Sequence, residues 1–181
     1  MFEYFFMSVQ QDIKLFLFFP ILCAIFRTIF IVMYNPYKSL KGKEAVLWHC
    51  YRYGFWWGMD PNVYIFLVSF VLVSLPTTFL GLPTSWGTVA RIIIGTIYSL
   101  IIYAAFVGKM IFYYHFHDIY NQTIRLGAKA DKRNLLDIFL HQDHGIPILI
   151  GIFFYATICV WGIWAILQLP SIPYPFISSS V

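Results

Sequence analysis

The sequence predicts an all-α membrane protein, a polytopic helical bundle of about four transmembrane helices with interfacial and amphipathic helices beside them. Three observations carry this expectation. The 181 residues are 60% hydrophobic and only 11% charged, against roughly 25% charged in a soluble domain, and the mean hydropathy is +0.74. Four nearly uncharged runs, at about 15–34, 62–82, 90–114 and 146–169, approach the ~20 residues that cross hydrocarbon as a helix. The runs are also continuous. A β-barrel, the other structure that satisfies its backbone in lipid, needs short alternating segments.

Residues 1–14 form an aromatic lead whose charges are Glu3, Asp12 and Lys14, which suits an interfacial segment. The run at 15–34 is too long for the h-region of a secretory signal, and no small-x-small cleavage site follows Met33-Tyr34-Asn35-Pro36. It reads as an uncleaved first span carrying Pro20 and Arg27. A connector with Lys38, Lys41, Lys43 and Glu44 leads to the aromatic segment His49–Pro61. Asp60 is placed to cap the second span and Pro61 to open it, where its missing N–H costs nothing. Pro76 predicts a kink or early unwinding in that span.

Gly81-Leu82-Pro83 ends the second span, and a turn through Ser85-Trp86-Gly87 leads to Arg91 and the third. The polar loop 115–145 is the one sizeable polar region, expected as one or two helices interrupted near Gly127 with an amphipathic stretch over Lys132–Leu140. Pro147 falls early in the fourth span, and 170–181, rich in Pro and Ser, is expected to be an irregular tail. One bundle, spanning 15–169, is the natural domain.

The net charge of +4 sits in loops beside apolar runs. Contact with lipid headgroups and membrane topology explain it better than nucleic acid, which needs a basic face on a soluble scaffold. Membrane lipids are therefore the expected partners. Of the three cysteines, Cys23 and Cys159 lie inside apolar runs and Cys50 in the aromatic segment, so no disulfide framework is implied.

No Walker loop, HExxH helix or GxSxG elbow occurs, and no catalytic residue is assigned. His115, His117, Asp118, His141, Asp143 and His144 gather in or beside the third loop. However, His115 and His117 would point about 200° apart on a helix, so interfacial polarity accounts for them better than a metal site. Arg27 lies within an apolar span, where a lone arginine must either snorkel or face a partner in the bundle; Asp60 and Asp118 are the candidate partners. The residues expected to contact a lipid headgroup, or to supply polar contacts in the bundle, are Arg27, Arg52, Trp56, Trp57, Asp60, His117 and Asp118.

Three features together resemble the amino-terminal membrane domain of the lipoteichoic-acid-synthase-like family, sulfatase-fold phosphoglycerol and phosphoethanolamine transferases of bacterial envelopes. One is an arginine late in the first span followed by an asparagine, Arg27 and Asn35. Another is the aromatic approach Gly54-Phe55-Trp56-Trp57-Gly58-Met59-Asp60 into a span containing Leu75-Pro76. It is similar to the family's Gly-Leu-Arg-Phe-Asp segment but lacks that arginine. The last is a span running on into Tyr113-Tyr114-His115-Phe116-His117-Asp118-Ile119-Tyr120. The resemblance covers about residues 15–145.

The resemblance implies a multi-pass protein of the bacterial cytoplasmic membrane. In such proteins five spans precede a large catalytic domain outside the cell, where a metal-bound threonine carries the headgroup taken from phosphatidylglycerol. Four spans are found here, so the chain is expected to be a truncated, non-catalytic anchoring module. Its partner is then a sulfatase-like catalytic domain in cis or trans, and a divalent metal such as manganese belongs to that domain. The alternative is an autonomous small multi-pass protein, a transporter-like subunit or a scaffold. On orientation two rules conflict. The excess of lysine and arginine in the first and third loops places those loops in the cytoplasm, whereas the resemblance implies a cytoplasmic amino terminus.

Overall fold

The computed structural model describes residues 2–35, 41–117, 139–140 and 145–172, and Trp57 by its backbone alone. It bears out the all-α membrane class: among the described residues there are helices and no strands, and four helices are long and apolar enough to cross a membrane. In order they are α1 (Phe2–Tyr34), α2 (Glu44–Ser69) continued through a π turn (Phe70–Ser74) into α3 (Leu75–Phe79), α4 (Thr84–Phe116), and α5 (Gly145–Leu167). Between 11% and 28% of each span's most apolar stretch is buried. Phe153 and Trp161 are exposed, as they can be when the solvent is lipid.

Two helix starts differ from the expectation. α1 begins at Phe2, so the lead expected to lie at the interface continues the first span as one helix. α2 begins at Glu44, so Asp60 is not a cap and Pro61 stands inside the helix. At Pro61 the reason is the lack of water. A chain entering lipid has no other partner for its backbone groups, and a helix with one bond missing at a proline leaves fewer of them unsatisfied than a break would. Pro76 has the effect expected of it in another form, with the helix widened into the π turn just before it and the Leu75 N–H reaching back five residues to Phe70 O. Gly81, at φ +65, takes the left-handed position that ends α3.

The chain forms two compact units, 1–98 with 160–181, and 99–159. In the first unit the buried positions of α1 are Asp12, Leu15, Phe19, Leu22 and Phe26, at alternating steps of three and four. Buried positions of the unit's other elements include Asn62, Ile65 and Ser69 of α2, Val73 and Ser74 of the π turn, and Gly87, Arg91 and Gly95 of α4. The interior is thus richer in small and polar residues than the outside, as expected when helices meet in lipid rather than water. Gly95 lets α4 approach closely, since a Cβ there would come within 2.9 Å of both Leu15 and Ile163. Phe19 and Tyr98 pack edge to face at 4.7 Å.

The end of α5 is tied to α1 by side chains. Gln10 both donates to Ile172 O (2.8 Å) and accepts from its N–H (2.7 Å). Lys14 donates to Leu169 O at 2.6 Å. In the second unit, Tyr103 stacks on Tyr155 at 4.7 Å. The Tyr155 hydroxyl donates to Ser99 O at 3.0 Å.

Candidate functional site: a cationic aromatic cleft and a buried ion pair

α1 and α2 enclose a cleft of about 330 Å³, at the lower end of the range for ligand pockets. From α1 it is lined by Pro20, Cys23, Ala24 and Arg27, and from α2 by Trp48, Tyr51, Arg52, Gly54, Phe55, Trp56 and Gly58. The Arg27 guanidinium lies directly over the α2 backbone at Gly54, where any Cβ would overlap it. Glycine at 54 is therefore what lets the cation enter the cleft. The rim is pinned by Thr28, whose hydroxyl sits 2.6 Å from that of Tyr51. Next to Cys23 on the inner side lies buried Asn62, which accepts from the Tyr98 hydroxyl at 3.0 Å.

Of the residues singled out in the sequence, the structure brings together Arg27, Arg52 and Trp56. It does not bring Asp60 to Arg27: Asp60 is exposed, and among the described residues no carboxylate lies within ion-pair distance of either arginine of the cleft. His117 is exposed and left-handed at φ +49, with its N–H bonded to Tyr113 O at 2.9 Å, so it caps α4. The side chain of Trp57, and Asp118, His141, Asp143 and His144, lie outside what is described. Among the described residues no three His, Cys, Asp or Glu side chains gather as a metal-ligand set.

The second centre was not singled out in the sequence. Asp12 of α1 is fully buried, and Arg91 of α4 is 4% exposed at its side chain. Arg91 Nε donates to Asp12 Oδ1 at 2.7 Å. The Ser69 hydroxyl donates to the same oxygen at 2.6 Å, and Ser74 to Oδ2. Arg91 Nη2 donates to the backbone oxygen (3.0 Å) and hydroxyl (2.7 Å) of Ser8 and to Ser74 Oγ (2.8 Å). Each charge thus has its opposite and a set of hydroxyls, which is what makes burial of an ion pair tolerable.

The clue was spacing. Ser8 and Asp12 are four apart, and so are Gly87, Arg91 and Gly95, so each charge has a small or polar neighbour one turn away on its own helix. Taken singly, both are charges at the edge of an apolar run.

No protein-family model, curated protein or solved structure matches the chain.

Proposed function

We propose that the chain is a membrane-anchoring module of the kind that begins lipoteichoic-acid-synthase-like transferases, built to hold a sulfatase-like catalytic domain at the outer face of a bacterial cytoplasmic membrane. One observation supports the reading. Two of the features that carry the resemblance, Arg27 late in the first span and the segment Gly54–Asp60, meet in space, with Arg27 lying on Gly54. The catalytic threonine and its metal, manganese for example, belong to that domain and not to this bundle.

The test is the coding sequence that adjoins this one, together with cross-linking of the chain in its native membrane. The expected result is a sulfatase-like domain, continuous with the chain or encoded beside it, and recovered with it after cross-linking. A closed reading frame with no transferase gene nearby and no such partner recovered would sink the proposal.

A second reading, an autonomous multi-pass protein such as a transporter-like subunit, is favoured by the Asp12–Arg91 pair, because ionisable residues at membrane depth often mark transport paths. It requires solute flux into vesicles containing the chain alone, and Asp12→Asn should abolish that flux.

A further inference from the structure

We propose that the cleft between α1 and α2 binds the phosphodiester headgroup of an anionic phospholipid, with Arg27 and Arg52 as the phosphate ligands. The first argument is charge. Two guanidinium groups line one cleft, and among the described residues neither has a carboxylate within ion-pair distance. Two like charges lining one largely apolar cleft favour an anion there, and a guanidinium's planar fork suits phosphate.

The second argument is depth, and it selects a lipid over a free phosphate. α1 has 33 residues, about 50 Å at 1.5 Å per residue, against hydrocarbon of roughly 30 Å. Arg27 lies about 10 Å from the end of α1 and Arg52 about 12 Å from the start of α2, close to where headgroups meet hydrocarbon. The deeper lining residues, Pro20, Cys23 and Gly58, carry no charge. Polarity along the cleft therefore follows that of a phospholipid, with phosphate outermost and apolar groups inward. Trp48 and Trp56 stand at this level, where indole rings prefer the interface. The volume of about 330 Å³ admits a headgroup but not two acyl chains, and the exposed side chains of Ile21 and Ile25 give those chains an apolar surface beside the cleft.

The third argument is the way Arg27 is held. Among the described residues it rests on Gly54 with no hydrogen bond to hold it, which leaves its donors to a ligand. This also supplies a variant that leaves both charges in place. In Gly54→Ala the new methyl occupies the guanidinium's position and displaces the end of a flexible side chain, while alanine in a helix is favoured over glycine by up to about 1 kcal/mol.

The experiment is native mass spectrometry and thermal unfolding of the purified full chain in micelles, titrated separately with phosphatidylglycerol, phosphatidylcholine and water-soluble glycerol phosphate. The expected result is one retained phosphatidylglycerol per chain and a raised unfolding temperature, with roughly tenfold weaker binding of phosphatidylcholine, whose choline cation meets the arginines. Arg27→Gln, Arg52→Gln and Gly54→Ala should each weaken phosphatidylglycerol binding by roughly tenfold or more while still unfolding cooperatively. Lys41→Gln, which removes one positive charge outside the cleft, should not.

Equal retention of the two lipids, or unchanged binding by the cleft variants, overturns the proposal. Glycerol phosphate binding as tightly as phosphatidylglycerol overturns the lipid assignment. None of these outcomes depends on whether a transferase domain accompanies the chain, so this proposal and the anchoring reading fail separately.

Discussion

At the scale of single residues, the Asp12–Arg91 pair decides how the first unit is held together. Breaking such a pair by removing one partner leaves a buried, uncompensated charge, which costs about 3–5 kcal/mol, whereas replacing both partners with apolar residues is often neutral. Asp12→Asn should therefore lower unfolding free energy by about that much, read by denaturant titration in bicelles. The double variant Asp12→Leu/Arg91→Met should recover most of the loss. A double variant no better than the sum of the single ones would mean that the pair contributes through shape rather than charge. Ser69→Ala removes one donor to Asp12 Oδ1 and should cost less, about 0.6–1.7 kcal/mol as for polar contacts between helices in membranes.

At the scale of elements, the π turn explains how two serines five residues apart reach one carboxylate. In an α-helix such residues point about 140° apart, so Ser69 and Ser74 would not both face Asp12. The i→i+5 turn at Phe70–Ser74 brings them back to one side. Pro76 favours that turn because a ring at this position crowds the carbonyl four residues earlier. Pro76→Ala should let the segment return to α geometry and carry Ser74 away from Asp12. Ser74→Ala should then cost clearly less in the Pro76→Ala background than in the parent chain, a coupling that a double-mutant cycle measures. Equal costs in both backgrounds would show that the turn does not depend on the proline.

The apolar runs made the helices visible in the sequence, because a stretch long enough to span lipid has few other readings. Their starts were not visible. Phe2–Lys14 and Glu44–Asp60 are too aromatic and polar to look like a span, yet they extend helices that begin beyond the hydrocarbon. The cleft was half legible: Arg27, Arg52 and Trp56 stood out by type, but nothing in the chain order says that Gly54 is where Arg27 lands. The ion pair joins residues 79 apart, and its members betray themselves only through the small and polar neighbours four positions away.

At the scale of the whole molecule, α1 carries the two centres at its opposite ends, so they belong to opposite leaflets. Asp12 lies about 15 Å in from the start of the helix and Arg27 about 10 Å from its end. The segment Leu80–Pro83 lies at the ion-pair end and the start of α2 at the cleft end. On the orientation implied by the resemblance, the amino-terminal end is cytoplasmic and the cleft opens toward the outer leaflet. Single cysteines at the exposed positions Ala45 and Ser85, introduced with Cys50→Ser, report this directly. With a membrane-impermeant maleimide on intact cells, Ala45→Cys should be labelled and Ser85→Cys protected, and both should react after permeabilisation. The opposite pattern would mean that the basic loops set the topology, as the positive-inside rule holds. The cleft would then face the cytoplasmic leaflet, and a catalytic domain outside the cell would lose the lipid-binding end of its anchor. Labelling of both positions on intact cells would refute the crossing of the span Glu44–Phe79, which joins them.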